Sequence, residues 1–480
     1  ITGRADNGET ALTDEQIDRL LHPTRGIVTG TLTRSTLESP RLDPDAGSWT
    51  HQWADSGNTV CSNDRRVRGQ LHVTWFNSFD FATPNRHGQG PAPLCHRGHL
   101  VVGGVDGIAC VDAYNGTLLW TYAIPGFLAD YDGIHHDVGV GETGGRFCMS
   151  DDAVFVAWED ECLKLDLQTG KCVARFRTPA TSDAVDRRWG VVYYRDGVLI
   201  GSILNERHRV SPRYALTRLR TESTMLFAVD AQTGKQLWQY TPKHSIRNNA
   251  VAVSQDRVFL IDRPIARQDY VEKPRRGGRP APRLKPGEHP TGTLIALDLK
   301  QGDVKWRNAD DIWGTQLSVS RDGRAVLMAY QAMKHKFFRL PSEVGGMLAA
   351  FDGESGKRLW QREAEYRTRP ILLGNQILAE GGAWDLRTGE PRAFPFQRSY
   401  GCGQIAAGAH ILLYRSATLG YWDLSAPPEQ QRTRSFGGMR PGCYINAIPA
   451  GGIVLVPEGS THCRCSYQLK SWFALSPAEE

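Results

Sequence analysis

The sequence predicts an all-β chain folded as an eight-bladed β-propeller behind a short N-terminal α/β arm. Three observations carry that expectation: a strand–turn–strand unit that recurs along the chain, a further strand before each copy, and an orphan strand ahead of the first complete set. Ile108 to Trp120 reads IACVDAYNGTLLW, Cys162 to Val173 CLKLDLQTGKCV, Leu226 to Trp238 LFAVDAQTGKQLW, Leu294 to Trp306 LIALDLKQGDVKW, and Leu348 to Trp360 LAAFDGESGKRLW. Degenerate copies begin at Ala383, Gly420 and Ser471.

In each unit, alternating apolar residues up to the aspartate mark a half-buried strand. The Asp-x-x-x-Gly stretch is a tight turn whose glycine can take positive φ. The next strand usually ends in a tryptophan able to pack between sheets. The strands ahead of the units read HLVVGG, AVFVAW, GVLIGS, RVFLID, AVLMAY, QILAEG, HILLYR and GIVLVP. Repeats of this kind cannot bury both faces alone and stack radially as blades. Eight are expected, the sixth and seventh short. The orphan LHVTWFN, Leu71 to Asn77, is expected to pair in the last blade and close the ring, which removes exposed strand edges.

The propeller therefore takes residues 49–480. Residues 1–48 stand outside the repeats as an arm: LTDEQIDRLL, Leu12 to Leu21, predicts a helix in which Thr13 and Gln16 are spaced as a capping box, and GIVTGTLT from Gly26 alternates like a strand. This arm resembles the tail of a preceding α/β domain of the methyltransferase type, which would mean a longer precursor.

Composition excludes several classes. Of 480 residues, 40% are hydrophobic and 23% charged, which suits a globular chain with a large core. No stretch approaches the roughly 20 apolar residues of a membrane-spanning helix. A net charge of +5 designates no partner by itself. Ten cysteines form neither CxxCH nor CxxC, so a c-type haem and a zinc knuckle are excluded, and no metal site is expected.

Four cysteines, Cys402, Cys443, Cys463 and Cys465, fall in the last blades. Cys463 and Cys465 share a side if their segment is extended, and a direct bond between them would be strained. Each is expected to pair with Cys402 or Cys443, giving two structural disulfides and an extracytoplasmic location, periplasmic or secreted. Free thiols or a metal site are the alternatives.

The repeat units resemble the pyrroloquinoline-quinone-type repeat: strand, Ala-x-Asp-x-x-Thr-Gly, and a strand ending in tryptophan. The resemblance covers roughly Trp53 to Pro477. Propellers of this type include quinoprotein alcohol dehydrogenases and non-enzymatic scaffolds of bacterial outer-membrane assembly, so it implies the fold and leaves the function open. WTHQWADSGNT from Trp49, RHGQGPAPL from Arg86, GCG from Gly401, GGMRPGCYINAIPAGG from Gly437 and CRCSY from Cys463 resemble a group of pyrroloquinoline-quinone-like propellers from environmental bacteria. That group has no established activity and carries over no catalytic residues.

Blade topology assigns loops to faces. The turn between second and third strands shares a face with the links between blades, and the Asp-x-x-x-Gly turns lie on the other. Blades three, four and five carry long insertions at that first turn, starting at Asn205, Arg263 and Gln331. From Arg263 to Lys285 the blade-four insertion holds eight basic residues against Asp269 and Glu272. A basic face of this kind would attract a polyanion, an anionic polysaccharide or an acidic protein partner. No nucleic-acid motif accompanies it.

The links on the same face carry the candidate site residues. Arg188, Trp189, Arg247, Asn248, Trp313, Arg367, Arg369, Arg440 and Asn446 are candidate ligand-binding residues; His135, His136 and Tyr400 are candidate catalytic ones. Histidine or tyrosine beside arginine suits proton abstraction next to a carboxylate, the logic of a polysaccharide lyase. The same arginines, with Trp189 or Trp313 as a stacking plane, would suit the carboxylates of pyrroloquinoline quinone bound with calcium in a quinone-dependent oxidoreductase. The Cys-Cys dipeptide that quinoprotein alcohol dehydrogenases place beside their quinone is missing here. The leading expectation is therefore a binding propeller, with lyase and oxidoreductase as the alternatives.

Overall fold

The computed structural model describes residues 43–84, 90–131, 145–180, 187–208, 221–269, 284, 288–332, 340–401, 403–442, 444–445, 447–458 and 470–478. The expected helix from Leu12 and strand from Gly26 lie outside them, as do His135, His136, Asn446 and the four C-terminal cysteines. No helix among the described residues is long and apolar enough to cross a membrane.

The described strands form antiparallel sets of four, in chain order. Blade one runs through Leu94–His96, His99–Gly104, Gly107–Asp112 and Leu118–Ala123. The repeat units supply the third and fourth strands, as their turns require. Blades three (Trp189–Arg195 to Gln236–Tyr240) and four (Ile246–Val253 to Val304–Ile312) merge into one eight-stranded sheet. The join is short: Glu222 and Ser223 pair with Arg247 and Ile246. Blade six is shrunken, ending in the two-residue strand Pro391–Arg392.

Leu71–Asn77 closes the ring as the sequence predicts. It lies antiparallel on Trp472–Pro477, from Leu71 opposite Pro477 to Asn77 opposite Trp472. A bulge between Val73 and Trp75 interrupts the register of this outermost strand, which blunts an edge that could otherwise template pairing.

Adjacent blades are joined by a recurring dock. The tryptophan that ends one blade lies on the glycine of the next blade's Asp-x-x-x-Gly turn, and its indole N–H donates to a backbone carbonyl there. Trp120 bonds Leu167 O at 2.9 Å, Trp238 bonds Leu299 O at 2.9 Å and Trp360 bonds Leu386 O at 2.9 Å. The aspartate holds the turn: Asp166 accepts from Thr169 N at 2.8 Å and from its hydroxyl at 2.6 Å. At Gly302, φ is +74° and a Cβ would overlap the Trp238 ring, so the site needs glycine twice over.

The axis is filled by a segment outside the repeats. Residues 47–64 form an inner strap that passes the innermost strands one after another. Trp49 exchanges two backbone bonds with Cys95 of blade one, and Thr50 O accepts from Met149 N of blade two. The His51 ring accepts from Tyr194 N of blade three at 3.1 Å. Ser56 O, Gly57 O, Thr59 O and Val60 O then accept from Val253, Val319, Leu372 and Ala407 of blades four to seven, at 2.8–3.1 Å. Both ends meet blade eight, where Gly451 N donates to Gly47 O and Gly452 N to Asp64 Oδ2. Most of these contacts fall at the C-terminal ends of the inner strands, which is the Asp-x-x-x-Gly side of the ring. The strap closes that side of the axis.

Candidate functional site

The link face holds most of the candidate residues, and around one of them, Arg247, the structure builds a tight cluster. Arg247, near the start of blade four's inner strand, is buried against three carboxylates: Glu222 at 2.8 Å, Asp269 at 3.2 Å, and Glu343 in a very short contact. Glu222 begins the strand that follows the blade-three insertion, Asp269 lies in the blade-four insertion and Glu343 in that of blade five. The cluster thus rivets the feet of all three insertions to one another. Ser342 Oγ donates to Asp269 at 2.5 Å, and Ser245 Oγ donates to Glu222 at 2.7 Å.

Burial alone would weaken the Arg247 guanidinium, but the Glu222, Glu343 and Asp269 carboxylates outweigh it and hold its pKa above the ordinary value. For Glu343 the balance goes the other way, and burial raises its carboxyl despite Arg247. Asn248 sits beside the cluster, accepting from Ser223 Oγ at 2.6 Å. Arg263 and Asp269, two of the charges counted in the blade-four arm, turn inward and are buried.

The remaining candidates are dispersed. Trp189 is 0% exposed and packs edge-on to Phe227, and Trp313 is 2% exposed and stacked on Tyr330 with ring centroids 4.5 Å apart. Arg188 pairs with Glu159 at 2.8 Å and Glu206 at 3.0 Å. Arg367 is exposed, and Arg440 is partly buried. Tyr400 is 68% exposed, with the Arg415 guanidinium over its ring at 5.4 Å. Arg369 reaches the axis, its guanidinium 4.3 Å above the Trp53 ring and donating to Leu317 O at 2.9 Å. Trp53 in turn meets Tyr444 edge-on.

Sequence reasoning missed Glu222 and Glu343 in the cluster and three further residues at this face. Tyr330, behind the blade-five insertion, places its hydroxyl 2.9 Å from His289 Nε2 and 3.0 Å from Nδ1, at the ring's edge. Arg263 Nη1 donates to Trp313 O at 3.4 Å close by. Arg263 was legible only as one charge among eight, and His289 only as the end of the arm. Among the described residues no group of three or more His, Cys, Asp or Glu could hold a metal.

Comparison with known proteins bears on the fold. A family model described as outer membrane protein assembly factor BamB matches residues 212–425. The quinohemoprotein alcohol dehydrogenase from Comamonas testosteroni superposes with a TM-score of 0.56 at 12% identity, over 96% of this chain and 85% of that one. The fold is that of a propeller of the pyrroloquinoline-quinone-like type. This propeller is also similar to the computationally designed Ika8 protein, with a TM-score of 0.50 at 13% identity over 85% of this chain and 100% of that one. BamB from Moraxella catarrhalis covers 85% of this chain at 10% identity, 98% of its own length and a TM-score of 0.46. No curated protein matches the sequence.

Proposed function

We propose that this PQQ-like propeller is an extracytoplasmic binding protein whose link face docks an anionic polymer. One observation carries the reading: the Arg247 cluster joins the feet of three insertions from consecutive blades, and those joined feet form one platform. The basic run of the blade-four insertion issues from that platform and would attract a polyanion through its summed field. The buried cluster adds no positive charge to that field, since the one Arg247 guanidinium faces three carboxylates.

The alternative raised by the quinohemoprotein neighbour is a quinone bound with calcium. The residues offered for it do not fit. Trp189 and Trp313 are sealed in packing and present no open plane, Arg247 is matched, and the sequence has no adjacent cysteine pair.

The test is retention of the full chain on immobilised dextran sulfate across a salt gradient, beside a variant with Lys273, Arg275, Arg276, Arg279 and Arg283 changed to serine. Salt-dependent retention that the variant loses is the expected result. Equal retention of both proteins, or none for either, overturns the reading. A polyuronate sample whose ultraviolet absorbance rose from new double bonds would make the protein a lyase instead.

A further inference from the structure

We propose that Arg263, His289 and Tyr330 form a carboxylate-binding subsite at the foot of the blade-four insertion, which takes a uronic-acid residue of an acidic glycan. The proposal rests on the platform reading above and names what the platform recognises.

The three side chains converge from different segments. Arg263 follows blade four's second strand, His289 closes the insertion that Arg263 opens, and Tyr330 follows the second strand of blade five. The Tyr330 hydroxyl meets the His289 ring edge at 2.9 Å, with the rings at 82°. Tyr330 is held from behind by its stack on Trp313, whose carbonyl oxygen receives Arg263 Nη1. Tyr330, Trp313 and Arg263 are thereby fixed relative to one another, as an oriented recognition site requires.

A buried donor at this place, Arg263 Nη2, has no partner among the described residues. Arg263 itself is nearly fully buried. A buried guanidinium N–H left unpaired is costly, and a carboxylate is the acceptor that best satisfies it. Burial and the neighbouring Arg263 charge lower the His289 pKa, so at neutral pH its ring is uncharged and can accept as well as donate.

The surroundings choose between anions. The Asp311 charge acts on both His289 and Tyr330, and the Glu222, Glu343 and Asp269 charges act on Arg263. An acidic peptide would bring closely spaced carboxylates against these. A uronic-acid chain brings one carboxylate per sugar, and its ring hydroxyls can donate to Asp311 and bond His289 and Tyr330. The strained backbone at Asp311, a non-glycine residue at φ +51°, lies at this same place.

The probe is trigalacturonate, titrated calorimetrically into the full chain and into Tyr330→Phe and His289→Gln. Tyr330→Phe keeps the stack on Trp313 and so tests the hydroxyl without disturbing the packing. Each variant should weaken binding by about tenfold, the loss of one good hydrogen bond to a charged group. Retention on dextran sulfate, which reads the arm, should be unchanged in both. Unchanged trigalacturonate affinity in both variants overturns the subsite. So does a wild-type chain that is retained on dextran sulfate yet does not bind trigalacturonate, and there the platform reading survives. Failure on both ligands ends both readings. A glutamate tripeptide that bound as well as trigalacturonate would overturn the assignment to a glycan.

Discussion

His51 shows what burial does to a single titratable group. Its ring is stacked beside Tyr193, with Nε2 accepting the Tyr194 N–H and Nδ1 facing the Thr50 hydroxyl. Burial first, and then the Arg195 charge, lower its pKa from 6.5 to about 3. The unfolded chain would bind a proton there near pH 6.5, while the folded chain resists until about pH 3. The stability tied to a neutral His51 is therefore whole above pH 6.5 and is lost progressively as pH falls towards 3. The slope should approach about 1.4 kcal/mol per pH unit in that window. Urea denaturation at pH 7, 6 and 5 should show the slope in the wild type and a flatter profile in His51→Gln, whose amide oxygen can still accept from Tyr194. Identical profiles would show that other groups dominate. At this scale the sequence is least readable. Trp189, Trp313 and Arg247 have the chemistry of a ligand site, yet whether a link residue turns inward depends on partners far along the chain, such as Glu343 for Arg247.

The blade-to-blade dock belongs to the element scale, and here the sequence is most readable. Asp-x-x-x-Gly with a following tryptophan encodes both halves of each dock, so the strand order and the closing role of Leu71–Asn77 follow from the pattern alone. Where the pattern weakens, chemistry changes with it: Phe176 stands over Gly234 and can donate no indole N–H. A pair of substitutions separates backbone strain from docking. Gly197 has φ +81° and open space where a methyl would sit, whereas Gly302 has φ +74° beneath Trp238. Gly197→Ala should cost about 1 kcal/mol, from the left-handed backbone alone. Gly302→Ala should cost at least about 1 kcal/mol more, because overpacking adds to the same strain. Chemical denaturation of the two variants checks it, and equal losses would mean that Trp238 gives way freely.

At the scale of the whole molecule, closure of the ring involves one expected feature and one observed feature. One lies outside the described residues: Cys402, Cys443, Cys463 and Cys465 are expected to form two disulfides across the last blades. Each would add about 2–4 kcal/mol where ring closure depends on the terminal strand. Mass spectrometry of the unreduced, alkylated protein should find these four blocked from alkylation. Four alkylated thiols would remove both the disulfides and the extracytoplasmic location inferred from them. The other feature is the strap, which the repeat pattern could not reveal because it has no period of its own. WTHQWADSGNT is conspicuous in the sequence, but its task is to offer each blade a different atom.

The strap's backbone is strained where it turns. Ala54, Asn58, Val60 and Asn63 all have positive φ, between 58° and 76°, and a buried valine in that region persists only when its surroundings impose it. Asp64 is the anchor: its carboxylate accepts from the backbone N–H groups of Gly47, Arg66, Val67 and Gly452, at 2.7–3.0 Å. Replacing it by alanine leaves four donors unanswered and frees both ends of the strap together. Met149, Val253, Val319, Leu372 and Ala407 each give their amide to a strap carbonyl, and they sit in five different blades. If the strap docks as one unit, Asp64→Ala should speed hydrogen exchange at all five amides by a common factor, while amides deep in the outer strands change little. Exchange followed by mass spectrometry on peptides from each blade reads this directly. Loss of protection confined to blades seven and eight would show instead that the strap is held locally, blade by blade, and that Asp64 secures only its ends.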